Sequence, residues 1–222
     1  MNKPEAVIFD LDGTLLDTLE DLTDSCNKTL SELNMPLHTI DEVRTFVGNG
    51  LGVLMELAVP GGKENPRYEE ALSLMHKNYA SNSQNKTKPY DGVLDLIAHL
   101  NKKGIKTGIV SNKPDDQVKV LADLYFKGHI DPSCAVGEKE SAGIKRKPAP
   151  DSVYEVIRQL GADKEHSVYV GDSDVDLATA RNAGIPCISV CWGFKTEAFL
   201  KEHGASKLVH RPEEIPALLG LD

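Results

Sequence analysis

The stretch VIFDLDGTLLDT, residues 7–18, decides how the rest of the sequence is interpreted. An apolar run ends at Asp10, a second acid follows at Asp12, and a Gly-Thr pair closes the turn. If the chain stays extended past the strand, the two carboxylates project the same way, because side chains alternate along a strand. Neighbouring carboxylates repel one another unless a cation or a proton intervenes. The pair therefore favours a site for a hard divalent cation such as Mg²⁺ over an ordinary Asp-Gly turn.

Strand-like apolar runs recur along the chain and alternate with helical patterns. They are AVIFD (6–10), IKTGIVS (105–111), SVYVGD (167–172) and IPCISV (185–190). Strands that are apolar on both faces and alternate with helices predict a parallel sheet covered by helices. The predicted fold class is α/β, with a Rossmann-like parallel sheet as the core.

The segment between the first two strands has a different pattern and reads as consecutive helices. Leu19 begins apolar spacing of three and four residues, Thr39 and Glu42 form a capping box, and Asn65-Pro66 predicts the start of a further helix at the proline. The sequence GNGLG (48–52) is expected to break the second helix. We therefore predict a helical cap domain over residues 17–87, inserted into a discontinuous core of residues 1–16 and 88–222.

Composition and charge limit the classes of function. The chain has 222 residues, of which 40% are hydrophobic and 27% charged, and its formal net charge is −9. An acidic chain lacks the general basic surface that binds nucleic acid or an anionic membrane. No apolar window approaches the roughly 18 residues of a membrane span, and the N-terminus shows no secretion signal. We expect a cytoplasmic protein that acts on a small molecule, with its oligomeric state left open.

The cysteines give no sign of a disulfide framework or a structural zinc site. The four of them include no CxxC pair and have no histidine at zinc-site spacing. Cys187 and Cys191 lie four residues apart in a strand-like stretch, where ordinary packing is the expected role.

Two further polar motifs follow strand-like runs and suit an anionic ligand. The hydroxyl of Ser111 and the amide of Asn112 can hold phosphate oxygens, although a helix cap explains them about as often. Lys147 lies in a basic run, KRKPAPD, that would ordinarily be a solvated surface. Beside two carboxylates and a phosphoryl group, one lysine would neutralise charge on both. Lys147 is favoured because the adjacent prolines restrain it.

The fourth motif is GDSDVD, residues 171–176, with three acids in five residues. It suits a cation site, and it also suits a helix N-terminus enriched in acids. The two interpretations are compatible, since Asp172 falls at the strand end and Asp174 and Asp176 fall in the next helical turn. We favour Asp172 as a direct metal ligand, with Asp176 in support.

Taken together, DLDGT, SN, KP and GDSDVD resemble the four motifs of the haloacid dehalogenase-like superfamily, and the longer strings resemble phosphoglycolate phosphatases. The resemblance implies that Asp10 is the nucleophile and Asp12 the general acid and base. It implies phosphate contacts from Ser111 and Lys147, and Mg²⁺ bound by Asp10, Asp172 and the backbone carbonyl of Asp12. The remaining expected phosphate-binding residues are Gly13, Thr14 and Asn112.

The predicted cap would close over the site and select the substrate. Arg44 and Asn49, near the GNG break, are the candidate specificity residues, although a solvated arginine and a turn asparagine explain them as well.

Several alternatives remain at this point. A sugar-phosphate mutase or a pyrophosphatase of the same family shares the core motifs. A dehalogenase fits less well, because such family members lack the second acid found here at Asp12. A phospho-accepting receiver domain also uses clustered acids, but it has no reason for a helical insertion after the first strand. A non-catalytic binding protein would have no need of the complete motif set.

Overall fold

The structure is a computed structural model that describes residues 3–221. The chain divides into two compact units. The sheet unit comprises Met1–Leu16 and Pro89–Asp222, and the helical unit comprises Asp17–Lys88.

The sheet unit has a six-stranded parallel sheet, which confirms the predicted α/β class. The strands of the described chain are β1 (Ala6–Phe9), β2 (Leu16–Asp17), β3 (Lys88–Pro89), β4 (Lys106–Pro114), β5 (Ala135–Glu138), β6 (Ser167–Gly171), β7 (Cys187–Val190) and β8 (Leu208–Val209). Their order in the main sheet is β5-β4-β1-β6-β7-β8, while β2 and β3 form a separate two-stranded sheet. The first strand, β1, is central and pairs in parallel with β4 and β6.

Helices of the sheet unit cover both faces of this sheet. The α-helices of the described chain are α1 (Leu19–Glu32), α2 (Ile40–Phe46), α3 (Gly50–Ala58), α4 (Tyr68–Asn82), α5 (Val93–Lys102), α6 (Asp115–Phe126), α7 (Asp151–Leu160), α8 (Asp174–Ala183), α9 (Glu197–Glu202) and α10 (Ile215–Leu218). Val7 and Phe9 of β1 join a buried cluster with α5 and α6, while Ile8 joins another with α7 and α8. Because both faces are buried, β1 is apolar at every position, as its sequence predicts.

The helical unit contains α1 to α4, and its sequence signals are only partly correct. The capping box at Thr39 and Glu42 is confirmed at the start of α2. The helix expected to begin at Pro66 begins instead at Tyr68, because the Asn65 side chain accepts from the Arg67 N–H in a turn that precedes the helix. The GNGLG sequence ends one helix, but it also begins α3 at Gly50.

A buried carboxylate holds the returning chain of the helical unit against α1. Asp21 is fully buried and accepts hydrogen bonds from the Lys86 N–H at 3.0 Å, the Thr87 N–H at 2.9 Å and the Thr87 hydroxyl at 2.8 Å. These bonds satisfy the backbone N–H groups of Lys86 and Thr87, and Thr87 is itself buried. They fix the end of the polar stretch that follows α4.

We expect Asp21→Ala to lower the free energy of unfolding by about 3 kcal/mol, since the two donors of the buried Thr87 and the Lys86 N–H lose their acceptor. Asp24→Ala is the matched control on the same helix, because Asp24 makes only a half-exposed ion pair with Lys86. That control should cost under about 1 kcal/mol. Urea unfolding followed by circular dichroism measures both, and equal losses in the two variants would contradict the assignment.

No α-helix among residues 3–221 combines the length and the apolar composition that crossing a bilayer requires.

Candidate active site

The carboxyl ends of β1, β4 and β6 bring together a buried group of charged side chains. Asp10 directly follows β1, and its Oδ1 lies 2.6 Å from Lys147 Nζ. The same ammonium lies 2.8 Å from Asp176 Oδ1. Tyr169 donates its hydroxyl hydrogen to Asp176 at 3.1 Å, and its oxygen lies 3.3 Å from Lys147 Nζ. One lysine is thus held between two carboxylates under a phenol, with all four side chains buried.

The backbone of Lys147 is held by Asn112. The Lys147 N–H donates to Asn112 Oδ1 at 2.9 Å, and Asn112 Nδ2 donates to the Lys147 carbonyl at 3.2 Å. Asn112 was expected to contact phosphate; in this structure both ends of its amide meet the Lys147 backbone. This pair joins β4 to the loop before α7, so the lysine is fixed at its backbone as well as at its ammonium.

The second acid of the opening motif has a different cationic partner. Asp12 Oδ1 lies 2.9 Å from Lys113 Nζ, whose side chain is 3% exposed. The Ser111 hydroxyl donates to Asp12 Oδ2 at 3.4 Å and accepts from the Lys113 N–H at 3.2 Å. Asp10 and Asp12 are therefore each paired with their own lysine, which gives the two carboxylates separate environments.

Asp172 directly follows β6, and each of its two carboxylate oxygens accepts a hydrogen bond. Its Oδ2 accepts from the Phe194 N–H at 2.7 Å, and its Oδ1 accepts from the Thr14 hydroxyl at 3.3 Å. The expected phosphate-binding residue Thr14 thus faces Asp172. The N–H groups of Gly13 and Thr14 donate to the carbonyls of Leu16 and Leu11 inside the turn.

Three glycines leave room for the carboxylates of Asp172 and Asp176 to lie against the backbone. Gly13 has a positive φ of 85°, which a side chain would strain, and an added Cβ would overlap the Asp172 carboxylate. A Cβ at Gly193 would overlap Asp172, and one at Gly171 would overlap Asp176. These positions exclude side chains because the carboxylates fill the space.

Burial and mutual repulsion oppose ionisation of the acids. Burial and the charge of Asp176 raise the pKa of Asp10 well above its usual range, although Lys147 opposes this shift. Burial and the charge of Asp176 also raise the pKa of Asp172, to about 7. The hydrogen bond from the Phe194 N–H and the charge of Lys147 lower it, but by less. For Lys147, burial disfavours the charge, but Asp10 and Asp176 outweigh it and raise its pKa. The lysine therefore stays an ammonium, whereas full ionisation of the acids is unfavourable unless a further positive charge is present.

A divalent cation would supply this positive charge and favour the ionised carboxylates. Oxygens of Asp10, Asp172 and Asp176 all lie within 4.8 Å of one another, and all three residues are buried. The Lys147 ammonium pairs with two of these carboxylates, those of Asp10 and Asp176. Carboxylate oxygens are the ligands preferred by hard cations. The donor set and its charge thus fit a divalent cation of the Mg²⁺ type.

The two expected specificity residues lie in the helical unit. Arg44 is in α2, where it forms a partly exposed ion pair with Asp41 at 3.7 Å. Asn49 is the residue before α3, and its side chain makes no capping bond there. The remaining predicted site residues belong to the sheet unit.

Sequence reasoning missed Lys113, Tyr169 and Phe194. Lys113 follows Ser-Asn at a strand end, and a lysine there is usually solvated, but it is buried beside Asp12. Tyr169 lies within an apolar run that predicted only packing. Phe194 contributes a backbone N–H, which every residue except proline carries, so no residue type marks it.

Comparison with known proteins places this site in a family. The model of the haloacid dehalogenase-like hydrolases matches residues 7–190. The phosphoglycolate phosphatase of Mesorhizobium japonicum is 34% identical over 94% of this chain and 91% of its own length. That of Rhodospirillum rubrum is 35% identical over 87% of this chain and 82% of its own.

A solved structure agrees with the sequence comparisons. A crystal structure from Lactobacillus delbrueckii subsp. bulgaricus, provisionally named a phosphoglycolate phosphatase, superposes with a TM-score of 0.92 at 36% identity. The match covers 98% of this chain and 99% of that one. With four motif strings, a parallel sheet and a family model all in agreement, the chain belongs to the haloacid dehalogenase-like hydrolases and is a phosphatase of that family.

Proposed function

We propose that this phosphatase hydrolyses a small phosphorylated metabolite, of the phosphoglycolate type, through a phosphoryl group carried on Asp10. The observation that carries the proposal is the pairing of Asp10 with Lys147 at 2.6 Å beside two further buried acids. The relatives named phosphoglycolate phosphatase support the substrate class, since they match nearly the whole chain. The sheet ends supply a nucleophile, a separate second acid and a fixed cation.

In the first step, a carboxylate oxygen of Asp10 attacks phosphorus while the bond from phosphorus to the ester oxygen breaks. Lys147 lies beside the nucleophile and supplies positive charge that offsets repulsion between the Asp10 carboxylate and the phosphate dianion. Asp12 donates a proton to the leaving alkoxide. The Ser111 hydroxyl, which lies next to Asp12, holds a phosphoryl oxygen.

In the second step, Asp12 acts as a base and takes a proton from water as that water attacks the phosphoryl group on Asp10. The bond from phosphorus to Asp10 breaks, and inorganic phosphate leaves. The Lys113 ammonium, 2.9 Å from Asp12 Oδ1, holds this carboxyl in position during the exchange.

Asp10, Asp172 and the backbone carbonyl of Asp12 would hold Mg²⁺, with Asp176 in support. When bound, the ion supplies the positive charge that this buried group of acids lacks and that a phosphoryl group needs during transfer. Phe194 and Thr14 orient the Asp172 carboxylate by donating to its two oxygens.

We assign the helical unit, Asp17–Lys88, as the cap that selects the substrate and excludes water. Arg44 and Asn49 remain the candidate contacts for the part of the substrate beyond phosphate. An arginine suits a carboxylate, which a phosphoglycolate-type substrate carries.

A phosphate-release screen tests the proposed activity. We expect release from phosphoglycolate to exceed that from pyrophosphate, sugar phosphates and nucleoside monophosphates, to stop with EDTA, and to return with excess Mg²⁺. Interconversion of sugar phosphates without release would instead identify a mutase. Undiminished release in EDTA would contradict the role of the acids in metal binding.

Asp12→Asn separates the two proton transfers. We expect steady-state turnover to fall by about 10²- to 10⁴-fold. With p-nitrophenyl phosphate, whose leaving group needs no proton, a rapid burst of nitrophenolate should persist before slow turnover, because only the second step still needs Asp12. Unaltered turnover would show that Asp12 takes no part in acid-base catalysis. If turnover falls and the burst is lost as well, the role of Asp12 is not confined to proton transfer.

A further inference from the structure

A second group of metal-binding side chains lies in the sheet unit and takes no part in the proposed reaction. Cys191 directly follows β7, His210 directly follows β8, and Glu197 is the first residue of α9. Each offers a ligand atom within 4.8 Å of the other two. Cys191 and Glu197 are half-buried and His210 is exposed, so an ion could reach the group from solvent.

The fold holds these three side chains in place. The Cys191 N–H donates to the Val209 carbonyl at 2.9 Å, which fixes the end of β7 against the end of β8. The His210 N–H donates to Glu214 Oε2 at 3.1 Å. Thr196 caps α9 by accepting from the Phe199 N–H, which fixes the position of Glu197.

The distance between His210 and Glu197 suits a single small ion. His210 Nε2 and Glu197 Oε2 are 3.0 Å apart. Ligands bound at about 2.0 to 2.3 Å around one tetrahedral centre lie roughly 3.3 to 3.7 Å apart, so the imidazole and the carboxylate need only a small shift. Lys201 competes for this carboxylate, but it contacts the other oxygen, Oε1, at 2.5 Å. Oε2 therefore already faces the imidazole.

The donor types indicate which ion. A thiolate, an imidazole and a carboxylate form a mixed set that prefers a borderline-soft transition metal to Mg²⁺, which prefers oxygen ligands. Three protein ligands leave the fourth position of a tetrahedral ion open to water.

We propose that Cys191, Glu197 and His210 form a binding site for a divalent transition metal, with Zn²⁺ as the favoured ion. Bound there, the ion ties the ends of β7 and β8 to α9. The sequence gives no sign of it, because the ligand spacings of six and thirteen residues match no zinc motif, and only the parallel register of the two strands brings them together.

Cobalt provides the test, because Co²⁺ bound to a thiolate gives a charge-transfer absorption that Co²⁺ bound to oxygen ligands lacks. The metal-free full chain is titrated with Co²⁺ in an excess of Mg²⁺, which competes for the acid group around Asp10. We expect the thiolate band to appear and saturate at one equivalent, and to disappear on addition of Zn²⁺. Absence of the band from the wild-type protein would overturn the proposal.

Matched variants identify the ligands. Cys191→Ser should abolish the band and His210→Ala should weaken Co²⁺ binding at least tenfold. Cys187→Ser and His129→Ala are the controls, since Cys187 is also half-buried and His129 is also exposed, and neither belongs to the group. A band that survives Cys191→Ser, or that is lost equally in Cys187→Ser, would contradict the assignment.

A measurement on the wild-type chain covers the case in which a variant fails to fold. Alkylation of each cysteine is followed by peptide mass spectrometry with and without Zn²⁺. We expect Zn²⁺ to slow the modification of Cys191 at least tenfold and to leave that of Cys187 unchanged. Equal rates at Cys191 with and without Zn²⁺ would count against the site.

Discussion

Asp10→Asn is expected to lower phosphate release by about 10⁴-fold or more while the protein stays folded, because the substitution removes the proposed nucleophile and keeps the shape of the side chain. An amide cannot form the phosphoryl intermediate. It can still accept from Lys147, which at present lies 2.6 Å from Asp10. No other carboxylate in the site directly follows β1, the central strand.

The same substitution should leave the metal-free protein at least as stable as the wild type. Burial and Asp176 raise the pKa of Asp10, which means that folding disfavours its ionised form. At neutral pH the unfolded chain pays no such penalty, so removing the charge relieves repulsion in the folded state alone. Lys147 retains Asp176 as an ion-pair partner at 2.8 Å.

Phosphate release and thermal unfolding without metal measure the two effects. Asp174→Asn is the matched control: it removes an acid from the same GDSDVD motif, at a half-buried position in the first turn of α8. It should keep activity within a few-fold of wild type. Substantial turnover by Asp10→Asn would exclude a covalent intermediate on Asp10, and a large fall in its melting temperature would show that Asp10 serves mainly to hold the fold.

The sequence predicted four strands of this fold because each lies in a mostly apolar run. The four predicted apolar runs correspond to β1, β4, β6 and β7. The strands β5 and β8 were not predicted. They lie at the two edges of the sheet, and each contains only two consecutive apolar residues, in AVGE (135–138) and LV (208–209), so neither shows an apolar run.

The candidate site residues that the sequence marks are acidic residues at the ends of apolar strands, because an ionised carboxylate is unfavourable to bury without a partner. The carboxylates of Asp10, Asp172 and Asp176 lie together, because Asp10 and Asp172 directly follow β1 and β6 and Asp176 is in the first turn of α8. The lysines show where this reasoning ends. Lys147 was favoured because the adjacent prolines restrain it. Lys113 is also followed by a proline, Pro114, but it was not selected, and both lysines are buried against an acid. Only the packing of β4 against the loop before α7 distinguishes them from solvated lysines.

Backbone donors and three-dimensional neighbours lie outside what one sequence can show. The Phe194 N–H reaches Asp172 because the chain turns tightly after β7, and a side chain at Gly193 would block that approach. A glycine in a loop indicates freedom of the backbone, but it does not indicate which group that freedom admits.

Lys147→Met should abolish activity and also destabilise the protein, unlike Asp10→Asn. Lys147 is 4% exposed and its ammonium pairs with Asp10 and Asp176, so its loss leaves buried carboxylates without a counter-charge. Breaking a buried ion pair from one side costs about 3 to 5 kcal/mol. Lys145→Met is the matched control, because Lys145 lies in the same basic run and is exposed.

The double variant Asp10→Asn, Lys147→Met distinguishes an electrostatic cause from lost packing. If the cost of Lys147→Met comes from uncompensated carboxylates, then neutralising Asp10 as well removes one of them, and urea unfolding should recover about 1 to 3 kcal/mol of stability. Activity should remain absent, because neither the nucleophile nor its cation is present. Recovery is expected to be incomplete, since Asp176 still lacks its ammonium and keeps only the Tyr169 and Ser173 donors. A double variant that loses the sum of the two single effects would show that Lys147 stabilises the site through its alkyl chain, and that the charge balance inferred here is wrong.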